Sequence, residues 1–255
     1  MRHALLIVAV LVAPVALLAQ DPRPLPELEP FYAAVRDNLT RGQREQGGLA
    51  YKERRTELRT NPFGRKVGTG DGSRVYDVVP NADGTVLMRT LIERDGKPLP
   101  PAQQERDRLE RRGRNQPPRN FEDVIETLRF SLDRREVVDG RSMIVIKFQP
   151  KPDARPRTRQ GRMARIFTGE IWVDENAREV ERVDAIAIDN LSMGFGMIAR
   201  LNKGSTVQLV RRPVANGVWA PTSIRFAGEG RAMVFRKLDV DYVIEWFDYR
   251  AVGGS

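Results

Sequence analysis

Apolar and charged residues alternate along much of this chain, with the period of two that is typical of strands with one buried face. The clearest example is residues 232–246, where apolar side chains share one parity and charged side chains share the other. The apolar set comprises Val234, Leu238, Val240, Tyr242, Ile244 and Trp246. Residues 142–148 and 217–226 repeat the alternation. The pattern therefore predicts a sheet with one apolar face.

Turn-forming residues separate these runs and predict an antiparallel meander from Leu49 onward. The turn signals are residues 81–84, Asp95-Gly96, Asp139-Gly140, residues 174–176, Asn216-Gly217 and residues 228–230. Residues 51–59 differ from the other runs because they carry charge on both faces. A strand of that kind is protected from further pairing, so we predict that it forms an edge of the sheet.

Helical spacing appears at the start of the chain and in two insertions. An amphipathic helix is predicted from Pro26, ending at Gly42 or at Gly47-Gly48. Its apolar face comprises Leu28, Phe31, Tyr32, Val35 and Leu39. The first insertion, residues 98–120, is polar and bounded by prolines, which favours a solvated or partly disordered helix. Residues 121–130 then predict a helix packed on the sheet. The second, residues 151–167, is rich in arginine and becomes helical near Gln160.

Helices of this length cannot cover the apolar face of so large a sheet. We therefore predict an α+β fold: a strongly curved antiparallel β-sheet, an incomplete barrel, with the N-terminal helix and the inserted helices covering its concave side. Such a sheet leaves an apolar cavity. Burial contributes about 0.8 kcal/mol per methylene, so the cavity suits an acyl chain and requires no reactive residue.

The first residues predict export of the chain. Arg2 precedes apolar runs that end at Ala19, the pattern of a cleaved signal peptide over residues 1–19. We expect residues 20–255 to form one monomeric domain in the periplasm. There is no cysteine to form disulfides, and the one histidine, His3, lies within the predicted leader.

Without His3, the chain has no imidazole for a Ser-His-Asp arrangement or for zinc. We predict no cofactor and no metal, and an enzyme is disfavoured, although aspartate and glutamate remain available for acid-base chemistry. The formal net charge is +9 and the isoelectric point about 10.2. Export nevertheless argues against nucleic acid as the partner, and aromatic residues do not alternate with the cations.

Two segments carry candidate binding chemistry. The glycine-rich residues 190–205 include Met193, Phe195 and Met197, which suit either a buried connection or a mobile lip at a cavity mouth. The second insertion carries Arg155, Arg157, Arg159, Arg162 and Arg165. These guanidinium groups suit lipid phosphates, an anionic membrane surface or an acidic envelope protein, or they form a solvated basic face.

Parity and size select the candidate residues of the acyl cavity. They are Phe130, Ile144, Ile146, Phe148, Phe195, Met197, Leu238, Tyr242 and Trp246. The expected ligands are the acyl chains of a lipid or a lipoprotein.

Three short motifs extend this interpretation. They are GEIWVD at residues 169–174, VERV at residues 180–183 and NGVWAPTSI at residues 216–224. With the element order above, they resemble the periplasmic outer-membrane lipoprotein-sorting superfamily, the LolA/LolB-like fold. The resemblance implies an incomplete β-barrel covered by helices and a carrier of lipoprotein acyl chains. It also implies an alternative, because relatives with this fold serve as sensors or envelope scaffolds: an interaction module with a filled interior that acts through its basic surface.

Overall fold

Four helices and one antiparallel sheet make up the described part of the protein in a computed structural model. The structure describes residues 23–57, 72–80, 87–111, 121–193, 199–232 and 236–252. The predicted leader lies outside these ranges. The helices are α1 (Leu28–Gln46), α2 (Pro101–Arg111), α3 (Phe121–Thr127) and α4 (Arg159–Ala164). None of these helices has the length and apolar character needed to span a membrane.

The strands follow the predicted meander. They are β1 (Leu49–Glu57), β2 (Ser73–Pro80), β3 (Leu87–Arg94), β4 (Lys97–Pro98), β5 (Leu128–Val138), β6 (Arg141–Pro150), β7 (Phe167–Asp174), β8 (Val180–Ala187), β9 (Leu191–Met193), β10 (Ala199–Leu201), β11 (Thr206–Pro213), β12 (Trp219–Ala232) and β13 (Arg236–Ala251). Their order across the sheet is β4-β3-β2-β1-β13-β12-β11-β8-β7-β6-β5, and β10 and β9 extend it beside β12.

Helix α1 covers one end of this sheet. Its residues Phe31 and Val35 are buried against Ile144, Ile146 and other apolar side chains of β6, β7 and β8. Gly42 stays inside the helix, where an added Cβ would lie 3.6 Å from the carbonyl oxygen of Trp219. The predicted N-terminal helix is therefore confirmed, and it ends before the glycine pair rather than at Gly42.

The two faces of the sheet differ in composition. We call the side that carries Ile144 and Ile146 the helix face, because α1 packs there. The opposite, open face carries ion pairs between neighbouring strands, such as Lys147 with Asp133 and Arg225 with Asp241. The alternation in 232–246 is thus confirmed for Tyr242, Ile244 and Trp246, which share the helix face by register.

The inserted helices lie against the same face. Leu128, Phe148, Phe167 and Ala187 form a second core with Val124 of α3 and Ala164 of α4. A third cluster joins β2 and β3 to Leu99, which precedes α2. The helices predicted in both insertions are present, although α3 ends at Thr127 and the predicted helical run continues as β5.

In the described ranges, the path of the sheet begins at β4 and finishes at β5, and the sheet is neither closed nor strongly curled. The prediction of an α+β fold with one antiparallel sheet and an N-terminal helix is confirmed. The strong curvature of an incomplete barrel is not seen in the described residues.

The prediction that residues 51–59 form an edge strand was wrong. Strand β1 lies in the interior of the sheet, paired with β13 on one side and with β2 on the other. Its charged side chains find partners on both faces: Arg54 meets Glu245 on the open face, whereas Arg55 meets Glu53 on the helix face. The charged residues on both faces of β1 therefore indicate ion pairs with neighbouring strands and not an exposed edge.

Most predicted turns are present. The pairs Asp95-Gly96, Asp139-Gly140 and Asn216-Gly217 all have positive φ, and the Asp174 carboxylate accepts hydrogen bonds from the backbone amides that follow it. Residues 81–84 lie outside the described ranges. The turn predicted at 228–230 was wrong, because β12 runs through it to Ala232. Gly228 serves close packing instead, since an added Cβ would lie 2.2 Å from Oγ of Ser205.

The glycine that opens the GEIWVD motif has a similar role, which can be tested. An added Cβ at Gly169 would lie 1.9 Å from the backbone oxygen of Asp184 and 2.9 Å from Cα of Ala185. Since backbone atoms of β8 cannot give way cheaply, we expect Gly169→Ala to lower the free energy of unfolding by about 1–3 kcal/mol. Urea denaturation measures this change. Gly48→Ala is the control, because its nearest contact would be an ordinary 3.7 Å; equal stability of the two variants would contradict the packing argument.

Candidate functional site

A strip of apolar side chains crosses the helix face of the sheet on its central strands, and all of them except Phe226 are partly exposed. The residues of this apolar strip are Val207, Leu209, Ile224, Phe226, Tyr242 and Ile244. Register places them side by side: Val207 lies opposite Phe226, which lies opposite Tyr242, and Leu209, Ile224 and Ile244 form the adjacent row. The rings of Phe226 and Tyr242 stack with centroids 5.5 Å apart.

The strip is less buried than the core on the same face. Ile144 and Ile146 are 0% and 2% exposed beneath α1, whereas Ile224 and Ile244 remain half-buried. Position explains the contrast. Helix α1 runs past the turns at one end of the sheet, where Asn38 donates to the carbonyl of Ala177 at 2.9 Å and Gln46 donates to that of Trp219 at 2.8 Å. Among the described residues, the strip therefore forms a shallow apolar surface beside the helices.

A charged cluster lies beside the strip on the same face. We define the arginine cluster as Glu53, Arg55 and Arg89. Glu53 is 5% exposed and accepts hydrogen bonds from both arginines, at 2.5 Å from Nε of Arg55. Its second carboxylate oxygen accepts from Nε1 of Trp246 at 3.2 Å. A buried carboxylate is thus held by three donors.

Aromatic packing completes the cluster. The Arg89 guanidinium lies 4.8 Å from the centroid of the Tyr76 ring, and that of Arg55 lies 5.9 Å from it. Burial lowers the pKa of Arg89, and the adjacent Glu53 carboxylate opposes that change. Arginine titrates so far above neutrality that Arg89 stays charged. Burial likewise raises the pKa of the Tyr242 hydroxyl, so this tyrosine stays neutral.

The structure separates the predicted cavity residues into two groups. Ile144, Ile146 and Phe148 lie in the cores beneath the helices, and Phe130 packs beside them with its ring 5.3 Å from that of Tyr32. Ile144, Ile146 and Phe148 are buried, so a ligand reaches them only if a helix moves, whereas Phe130 is partly exposed. Their assignment to a cavity stays a prediction.

The second group lies toward the strip. Tyr242 belongs to it, and Trp246 lies at its border with the arginine cluster. The backbone of Leu238 pairs with Gly230. Phe195 and Met197 lie outside the described residues.

The predicted anion-binding arginines lie around α4. Arg155, Arg162 and Arg165 are exposed, and Arg157 is paired with Glu126 at 2.9 Å. The backbone of Arg159 begins α4, after the Thr158 cap. Whether these residues bind an anionic partner stays a prediction.

Asp123 of α3 fixes this arginine-rich segment. Its buried carboxylate accepts hydrogen bonds from the Thr158 hydroxyl and from the backbone amides of Arg157 and Thr158. These hydrogen bonds lower the pKa of Asp123, with that from the Thr158 side chain contributing most. The segment that carries the exposed arginines is consequently fixed to α3 by these hydrogen bonds.

Sequence reasoning missed the arginine cluster. Glu53, Arg55 and Arg89 lie on strands whose neighbours were not predicted, and β1 was expected at an edge. The available signal was the alternation within β1, where Glu53 and Arg55 share one parity and Arg54 the other.

Two surface pockets of the described part, of about 400 and 530 Å³, have mainly polar linings and contain none of the predicted cavity residues. The first lies around residues 202–206, and the second lies between α1 and Trp219. Within the described ranges, no group of three or more acidic, histidine or cysteine side chains is arranged to hold a metal ion.

The chain is similar to several solved structures at low sequence identity. A LolA superfamily protein from Nitrosomonas europaea is 9% identical with a TM-score of 0.39, and the match covers 87% of this chain and 94% of that one. A putative outer-membrane lipoprotein-sorting protein domain from Vibrio parahaemolyticus is 14% identical with a TM-score of 0.39, covering 88% and 92%. MucB of Pseudomonas aeruginosa, in its complex with MucA, is 9% identical with a TM-score of 0.27, covering 87% and 100%.

These matches include the superfamily that the sequence motifs resembled. No protein-family model matches the chain, and no curated protein does.

The arginine cluster predicts a large effect of removing its carboxylate. In Glu53→Gln, two guanidinium groups lose their shared anion while Arg89 remains buried, so we expect the free energy of unfolding to fall by about 3 kcal/mol or more. The matched control is Glu245→Gln, which removes the exposed partner of Arg54 on the open face and should cost less than about 1 kcal/mol. Chemical denaturation measures the free energy of unfolding of both variants. Similar losses of stability in the two would contradict the burial assigned to the Glu53 carboxylate.

Asp123 predicts an acid-sensitive contribution to stability. Because its folded pKa is lowered, its stabilising effect is complete above the ordinary aspartate pKa of about 3.9 and is lost as the pH falls through the folded value. Asp123→Asn should therefore be less stable than the parent at neutral pH, and the difference should shrink in acid. Thermal unfolding of both proteins between neutral and acidic pH measures this difference in stability. The control is Asp153→Asn, which removes an exposed carboxylate of the same segment and should leave stability nearly unchanged across this pH range. If the stability difference between Asp123→Asn and the parent did not depend on pH, the assigned role of the Asp123 carboxylate would be refuted.

Proposed function

We propose that this protein is a non-enzymatic binder or carrier of acyl chains, from a lipid or a lipoprotein, in the periplasm. The observation that carries the proposal is the apolar strip: a continuous row of aliphatic and aromatic side chains on the helix face, of which all but the buried Phe226 stay half-buried. Partly exposed apolar surface of this kind favours an apolar ligand. The predicted leader supports the compartment.

The dimensions of the strip suit an acyl chain. Neighbouring strands lie about 4.8 Å apart, so the path from β1 across β13 and β12 to β11 is about 14 Å long. An alkyl chain on this path gains about 0.8 kcal/mol for each methylene that it buries. Such binding needs apolar area and no reactive group.

A titration tests the proposal. Delipidated protein is titrated with a fluorescent fatty acid, and we expect saturable uptake. Ile224→Gln places a polar group in the middle of the strip and should weaken uptake roughly tenfold, the effect of losing about 1.4 kcal/mol of apolar contact.

The matched control is Ile186→Gln. Ile186 is 45% exposed and lies on the open face, opposite Thr206 of β11, so this change should leave uptake unaltered. Absence of saturable uptake by the parent would reject the carrier. The alternative would then be an interaction module that acts through the exposed arginines Arg155, Arg162 and Arg165.

A further inference from the structure

The apolar strip and the arginine cluster meet on one face of the sheet. Arg55 of β1 lies directly opposite Ile244 of β13, and Glu53 lies opposite Trp246 in the same register. Ile244 in turn lies opposite Ile224, which belongs to the middle of the strip. A molecule lying across the strands from β11 toward β1 would therefore pass from apolar side chains to a guanidinium group.

The cluster carries more positive than negative charge. Among the described side chains of this cluster, two guanidinium groups share the single carboxylate of Glu53. One arginine would neutralise that carboxylate, and Trp246 donates to its other oxygen. The second arginine is therefore not required for charge balance, and its position needs another explanation.

The two arginines differ in accessibility. The Arg89 side chain is 15% exposed and is held between Glu53 and the face of Tyr76. The Arg55 side chain is 43% exposed, although it also bonds to Glu53. Arg89 thus fixes the carboxylate, and the carboxylate fixes Nε of Arg55. This arrangement orients a guanidinium group that solvent can reach, beside an apolar surface.

Resting on the proposed function, we infer that the ligand is an anionic amphiphile whose charged head group is bound by Arg55 while its acyl chain lies on the apolar strip. A guanidinium group pairs with the oxygens of a carboxylate or a phosphate through charge-assisted hydrogen bonds. The adjoining apolar side chains lower the local dielectric and strengthen that contact. An acyl chain with a neutral head group would bind through the strip alone.

Calorimetric titration of the full-length exported protein, after delipidation, tests this inference. Dodecanoate is compared with its neutral ester, monododecanoyl glycerol, in mildly alkaline buffer where the carboxylate is ionised, and dodecyl phosphate extends the test to a second anion. We expect both anions to bind at least about tenfold more tightly than the ester, the usual effect of one charge-assisted hydrogen bond. Added salt should reduce this preference.

Variants separate head-group binding from structural support. Arg55→Gln should abolish the preference for the anions while leaving the affinity for the ester unchanged. Arg54→Gln is the matched control, because Arg54 is 42% exposed on the same strand but faces the opposite side of the sheet; it should keep the preference.

The outcomes distinguish the two proposals. If the ester binds as tightly as the anions, or if Arg55→Gln weakens all three ligands equally, the head-group site is refuted and the acyl binder stands. If none of the three ligands binds, the proposed function itself fails.

Discussion

The packing of α1 across one end of the sheet is the contact on which the rest of the structure depends. A helix of 19 residues is about 28 Å long, whereas the eleven strands along the main path of the sheet span about 48 Å. One helix cannot bury so wide an apolar face. It covers the strands around Ile144 and Ile146, and the short inserted helices cover the neighbouring end of β5 to β8. The apolar strip lies where this cover stops.

The two faces of the sheet differ in how well they suit an apolar ligand. On the open face, ion pairs such as Arg134 with Glu170 join adjacent strands at 2.9 Å, and each pair keeps contact with solvent. Removing these ion pairs from water would cost more free energy than an apolar ligand would gain by contacting them. The helix face has a different balance, because its central strands carry the partly exposed aliphatic and aromatic side chains of the apolar strip. Charged pairs on this face, such as Arg211 with Glu179 and Arg55 with Glu53, lie to either side of the strip.

The buried carboxylate of Glu53 shows how a charged strand enters the interior of a sheet. Removing a carboxylate from water is costly, and here the cost is offset by two guanidinium donors and an indole N–H. Two of these partners, Arg89 of β3 and Trp246 of β13, are distant from Glu53 in sequence. The local pattern of β1 contains Glu53 and Arg55 but not the partners on β3 and β13, and for this reason β1 was mistaken for an edge strand.

The sequence by itself determined where most strands and helices lie, and which parity is apolar in strands such as β13. Period-two alternation and dipeptides such as Asp139-Gly140 are local properties, so they survive without knowledge of neighbours. Only the tertiary structure decided the order of the strands, the role of Gly228 and the division of apolar residues between core and strip. Ile146 and Ile244 look alike in the sequence; one lies beneath α1 and the other does not, because burial depends on where a distant helix crosses the sheet.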